Sequence, residues 1–205
     1  MRYLWAVVLF TSLVAAQDRP GLFFREDFKE TPPETPATQK HIANPDLVLE
    51  LHGPGKLGIK KSHHEKPADD PYYIWSGTAN GNWAVSLRHL SANVDLTGQA
   101  KIRWRTKQAG FRMLRIILRL ANGTWLVSDQ YDPPSNDWRV REFNLSDIRW
   151  RKLNIETVVE DAWIEKPDLS QVDAVGWTDL MTGGGTPACS RLDWIEVYGQ
   201  ARKRR

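Results

Sequence analysis

The chain has 205 residues, with 28 Lys and Arg against 25 Asp and Glu and a formal net charge of +3. That length suits one domain with a sizeable core. The single cysteine, Cys189, excludes an internal disulfide and is weak support for thiol catalysis. The positive charge is terminal: with Arg2 and the basic run 202–205 set aside, 23 basic residues face 25 acidic ones and the body is near −2. Such a body lacks the basic stripe of a nucleic-acid binder.

In chain order, Met1-Arg2, the apolar run Tyr3 to Val14 and the small residues Val14-Ala15-Ala16 have the build of a secretory leader over 1–16. The apolar run is about a dozen residues, short of the roughly 20 a membrane-spanning helix needs, and no later segment is long and apolar enough. The expected setting is secreted or periplasmic, with a domain over 17–200 and a disordered basic tail over 201–205. Gly21 to Phe28 reads as a first strand, followed by a Pro/Thr/Glu-rich loop and a strand at Leu47 to Leu51. The polar stretch Gly53 to Asp70 reads as a long loop, before short strands at Tyr72 to Trp75 and Trp83 to Leu87.

Lys101 to Thr106 alternates charge and bulk with period two, the mark of a strand with one buried face. Arg112 to Leu120 and Trp125 to Ser128 flank Asn122-Gly123, which predicts a hairpin with a type I′ turn. In that register Leu120 faces Trp125 and Leu118 faces Val127. One face then carries Leu114, Ile116, Leu118, Leu120, Trp125 and Val127 as core, and the other carries Arg115, Arg119 and Gln130. Trp138 to Phe143, Val175 to Leu180 and Ser190 to Tyr198 read as further strands, and Pro167 to Val172 as a helical turn. Eight to ten short strands with almost no helical periodicity predict an all-β, single-domain, two-sheet antiparallel sandwich or jelly roll.

The order of the segments IRWRTK, LRIILRLANGTWLVSD, DWRVREFNL, PDLSQVDAVGW and SRLDWIEVYG, with REDF near the start, resembles carbohydrate-binding modules of the galactose-binding-domain-like β-sandwich type. The resemblance implies a polysaccharide or oligosaccharide partner and a monomer. It also implies a structural calcium held by acidic residues of the first and last strands, for which Glu26, Asp27 and Asp193 are the matching positions. A second resemblance, to the concanavalin-like jelly rolls of secreted sugar hydrolases, keeps an enzyme open beside a non-catalytic interaction protein.

The densest set of reactive side chains is KKSHHEKPADDPYYIW at 60–75. His63, His64, Asp69, Asp70, Tyr72, Tyr73 and Trp75 suit a sugar: a pyranose packs its C–H face on an aromatic ring, while imidazoles and carboxylates bond its hydroxyls. If Arg115, Arg119 and Gln130 lie beneath this loop, all ten residues form one site. Otherwise the arginines are ordinary sheet-surface residues. Glycosidic acid/base chemistry would need Asp69 or Asp70 with a distant acid such as Asp129, Asp132 or Glu142. A zinc site at His63, His64 and Asp69 lacks the usual ligand spacing. Of the ten tryptophans, 104, 125, 138 and 177 are expected in the core, 75, 83, 150 and 163 near an exposed platform, and Trp194 in either.

Overall fold

A computed structural model describes residues 19–77, 79–182 and 188–204. The expected leader and most of the glycine-rich loop after Thr182 lie outside the described residues. Among the described residues the strands are β1 (Leu22–Glu26), β2 (Leu47–His52), β3 (Lys60–Ser62), β4 (Tyr73–Trp75), β5 (Ala84–His89), β6 (Ala92–Asp95), β7 (Lys101–Gln108) and β8 (Leu114–Leu120). They continue with β9 (Trp125–Asp132), β10 (Arg139–Asn144), β11 (Trp150–Asn154), β12 (Val159–Ile164), β13 (Val172–Thr178), β14 (Ser190–Tyr198) and β15 (Gln200–Lys203).

They form two antiparallel sheets, as the period-two pattern predicts. The six-stranded sheet runs β10-β7-β14-β4-β3, with β1 also on β14; the nine-stranded sheet runs β12-β11-β9-β8-β13-β5-β2, with β6 and β15 attached at β13. In β7 the alternation is complete: Ile102, Trp104, Thr106 and Gln108 are buried, while Lys101, Arg103, Arg105 and Lys107 are half-exposed on the opposite face. The inner faces meet in one core that joins Ile102, Trp104, Leu192, Ile195 and Val197 of the six-stranded sheet to Val85, Leu87, Ile116, Leu118, Leu126, Val175 and Trp177 of the other. Each such side chain contributes on the order of 1.5–3 kcal/mol by leaving water.

β14 organises the smaller sheet. It pairs with β7 along its length and, on its other edge, with β4 at its start and β1 at its end. A bulge between Leu192 and Trp194 inserts one extra residue, Asp193. Leu192 opposes inward Thr106 and Trp194 opposes outward Arg105, so Trp194 stands on the outer face.

Three local expectations are corrected. The β8–β9 hairpin is not closed by a type I′ turn. Gly123 N–H donates to Leu120 O at 2.9 Å, Leu120 N–H donates to Thr124 O at 2.9 Å, and only Gly123 has positive φ, at 88°. This is a three-residue loop with a glycine bulge. The register moves by one, to Arg119 opposite Trp125 and Ile117 opposite Val127. Trp125 and Val127 therefore leave the inter-sheet core and join Ile117, Ala84, Leu153, Val158 and Ala174 in a second cluster.

The tail beyond 200 is no loose end. β15 pairs with β6, Arg202 reaches Asp95 at 2.6 Å, and Arg204 reaches Asp173 at 3.0 Å. The segment 167–171 forms no helical turn; the Asp168 carboxylate accepts the Ser170 N–H at 2.9 Å, an Asx turn leading into β13.

Candidate functional site

The outer face of the six-stranded sheet carries four cross-strand rows. The first is Lys60, Trp75, Arg191 and Lys107, each opposite the next across β3, β4, β14 and β7. The second holds Trp194, Arg105 and Val140. The third is Arg25, Glu196, Arg103 and Glu142, and the fourth Leu22, Tyr198, Lys101 and Asn144. Opposed side chains share a face, and from Arg191 to Tyr198 the rows extend for roughly 20 Å along β14.

Charge and aromatic surface interleave throughout. The Arg25 guanidinium lies 4.5 Å from the Trp194 ring centroid and that of Arg103 5.9 Å. Lys60 and Arg191 lie 5.5 and 6.0 Å from Trp75, Lys101 lies 5.1 Å from Tyr198, and Arg105 lies 5.5 Å from Trp138. Two carboxylates set the arginines in place. Glu196 accepts from Arg25, from Arg103 at 3.1 Å and from Tyr198 Oη at 3.0 Å, and Asp193 accepts from Arg105 at 2.7 Å. Burial pushes the Asp193 carboxyl above its ordinary range, with the Arg105 hydrogen bond opposing it.

The loop before β4 closes one end of this face. Asp70 Oδ2 accepts the His64 backbone N–H at 2.8 Å and lies 2.9 Å from His64 Nδ1, which is 3.0 Å from Tyr73 Oη. His63 stacks on Tyr72 at 4.0 Å between centroids, and Lys61 Nζ lies 4.4 Å from the same ring. Tyr72 is thus already occupied by its neighbours. Tyr73, expected among the sugar-binding side chains, is 1 % exposed and packs against Trp138 at 5.2 Å. Burial raises its phenol pKa. Asp69 is exposed, and Trp75 stands half-exposed in the first row. Gly77 lies against the Trp75 indole so closely that an added Cβ would fall 2.1 Å from its ring.

The remaining three residues of the ten-residue site do not join the loop. Arg115 and Arg119 belong to β8 and Gln130 to β9, all in the opposite sheet. Arg115 pairs with Glu160 at 3.0 Å, Arg119 with Asp173 at 3.3 Å, and Gln130 Nε2 donates to Asp147 O at 2.9 Å. Arg115 thus reaches edge strand β12, Arg119 the neighbouring strand β13, and Gln130 the turn before β11. The acids considered as distant catalytic partners are likewise engaged. Asp132 is fully buried beneath Trp104, Thr106 and Arg139, Asp129 pairs with Arg149, and Glu142 pairs with Lys101 and Arg103.

The proposed calcium ligands do not fit a cation. The Glu26 carboxylate is aimed at backbone N–H donors, those of Phe28 at 2.7 Å, Ala43 at 2.8 Å and Asn44 at 2.9 Å. These three N–H donors take up three of the roughly four acceptor sites of the carboxylate, so Glu26 is committed to its own backbone rather than open to a metal. Asp27 bonds Arg25 and Asp193 bonds Arg105. Among the described residues no three His, Cys, Asp or Glu side chains cluster as a metal site, the His63, His64 and Asp69 set included.

No protein-family profile matches the chain, and no curated protein sequence matches it. Solved structures do. The family 11 carbohydrate-binding module of the cellulosomal cellulase Lic26A-Cel5E of Clostridium thermocellum superposes with a TM-score of 0.51 at 13% identity, covering 86% of this chain and 100% of that one. This chain has that module's β-sandwich fold. A family 11 module from Clostridium thermocellum in complex with a β-1,3-1,4-mixed-linked tetrasaccharide matches at a TM-score of 0.49 and 14% identity, over 83% of this chain and 98% of that one. The two-sheet antiparallel β-sandwich expected from the sequence is therefore the one observed.

Sequence reasoning missed Trp194 and Arg105 as site residues and gave Trp138 to the core. The signal for Trp194 and Arg105 was the alternation in β7 and β14, whose outward positions are basic or aromatic apart from Glu196. Trp83 and Trp150, expected near a platform, are 1 % and 2 % exposed. Trp163 is exposed as expected, beside an open groove of about 750 Å³ lined by Leu145, Ile148 and Pro167. That groove offers one exposed aromatic ring, whereas the sheet face carries four half-exposed ones.

Proposed function

We propose that the protein is an exported, monomeric glycan-binding module that lays a polysaccharide or oligosaccharide along the outer face of its six-stranded sheet. One observation carries this reading: Trp75, Trp138, Trp194 and Tyr198 share that face with hydrogen-bonding side chains already fixed in ion pairs. Rings of this size supply the apolar contact a pyranose needs, and prearranged donors bind hydroxyls with little further loss of side-chain entropy. Export rests on the leader pattern at 1–16. No helix among the described residues is long and apolar enough to cross a membrane.

Affinity electrophoresis of the full chain against a panel of plant and bacterial polysaccharides tests the reading. Retention by at least one polymer is expected, weakened about tenfold or more by Trp194→Ala, since truncating a central aromatic anchor commonly costs 2 kcal/mol or more. Arg115→Ala and Arg119→Ala, on the opposite sheet, are expected to retain binding. Equal losses from both sheets, or no retention at all, would remove this face from the function.

A further inference from the structure

The first row differs from the others in its charge balance. Like charges directly opposed across strands destabilise a sheet, and elsewhere on this face the protein avoids them. The third row alternates Arg25, Glu196, Arg103 and Glu142, with Arg103 bonded to Glu196 at 3.1 Å and 3.4 Å from Glu142. Arg105 is paired with Asp193 at 2.7 Å and Lys101 with Glu142 at 2.9 Å. In the first row Arg191 stands directly opposite Lys107, and Lys60 lies across Trp75 from Arg191. Among the described residues none of these three cations forms a salt bridge; Lys60 and Arg191 instead lean toward the Trp75 ring. Three half-exposed positive charges thus sit within one row, about 15 Å wide at the usual strand spacing.

Local excess charge of this kind is relieved by an anion. The guanidinium fork of Arg191 suits two oxygens of one carboxylate or sulfate, while the ammonium groups act as point charges on either side. The Trp75 ring between them matches the apolar face of the sugar that bears the anion.

We infer that the glycan bound on this face is acidic, carrying uronate carboxylates or sulfate esters, and that Lys60, Arg191 and Lys107 receive those groups. This deepens, and rests on, the glycan-binding reading.

The test compares affinities of the full chain for a polyuronate, a sulfated galactan, a neutral mixed-linkage β-glucan and single-stranded DNA, at low and high salt. One of the two acidic glycans is expected to bind at least about tenfold more tightly than the neutral one, with an advantage that shrinks as salt screens it; which of the two binds identifies the anion. Lys60→Met and Lys107→Met are each expected to reduce that affinity by about tenfold at unchanged Tm, as loss of a charge-assisted contact does, and Lys107→Arg to keep most of it. Neutral glucan bound as tightly as the acidic polymers, or Met variants that bind like the parent, would overturn the acidic ligand and leave the glycan-binding reading standing. Tighter retention by DNA, or no retention by any polymer, would overturn both.

Discussion

The ammonium group of Lys61 is enclosed, with the residue 0 % exposed and Nζ without a hydrogen-bond partner. Its position follows from strand alternation: Lys60 lies on the outer face of β3, so Lys61, opposite Ile74, points in. Burial lowers its pKa from 10.5 to about 8, with the charges of Asp193 and Glu30 opposing the shift. Between those values the unfolded chain holds a proton that the folded chain has released, so stability rises with pH through that window and the penalty is fully present below it. Chemical denaturation of the parent should show unfolding free energy climbing by up to about 3 kcal/mol between pH 8 and 10.5. Lys61→Met should be more stable than the parent at pH 7 by about 1–3 kcal/mol and nearly flat over the same range. Parallel pH profiles for the two proteins would mean that Lys61 remains hydrated. The loop around this residue was legible in the sequence from its composition alone. Which of its rings are free was not, because Tyr72 is covered by His63 and Lys61, and Tyr73 by Trp138, through contacts that composition does not encode.

At the scale of single elements, the long strands were legible where alternation persists, over all of β7 and over Trp194 to Tyr198 of β14 beyond its bulge. Edge strands such as β12, whose residues are mostly exposed, carry no such contrast. The β8–β9 hairpin shows how one turn residue decides a face. Asn-Gly permits a two-residue loop, yet the chain uses three, and the difference of one residue sends Trp125 to the other side of its sheet. Gly123 bears the positive φ and has nothing within 4 Å of a methyl group placed on it. Gly123→Ala should therefore cost about 1 kcal/mol through backbone strain alone, lowering Tm by about 2–4 °C. Gly123→Asn should cost less, since Asn tolerates the left-handed region. Asn122→Ala should lose only the Thr124 N–H to Asn122 Oδ1 bond of 3.0 Å. A larger loss at 122 than at 123 would restore the two-residue turn.

Over the whole molecule, the proposed binding face exists only once β3, β4, β7 and β14 are side by side. Those strands come from residues 60–62, 73–75, 101–108 and 190–198, so no local pattern could place Lys60, Trp75, Arg191 and Lys107 in one row. The same long-range closure explains the C-terminus. Immediately after β14 completes the six-stranded sheet, the chain crosses at Gly199, where an added Cβ would lie 2.5 Å from Val94 Cγ2, and β15 pairs with β6 at the margin of the nine-stranded sheet. The basic residues that composition assigns to a solvated tail are used there. Arg202 bonds Asp95, Arg204 bonds Asp173 and donates to His89 O at 2.7 Å, and Asp173 also holds Arg119. Truncation after Gly199 removes the β15 ladder and both ion pairs, and leaves Asp95, only 8 % exposed, without its arginine. A loss of about 2 kcal/mol is expected, a Tm lower by about 4–8 °C for a domain of this size. Glycan affinity measured below that Tm should not change, because the binding face belongs to the other sheet. An unchanged Tm would show that β15 is not held in solution, and a lost affinity would show that the two sheets are coupled through their shared crossing at Gly199.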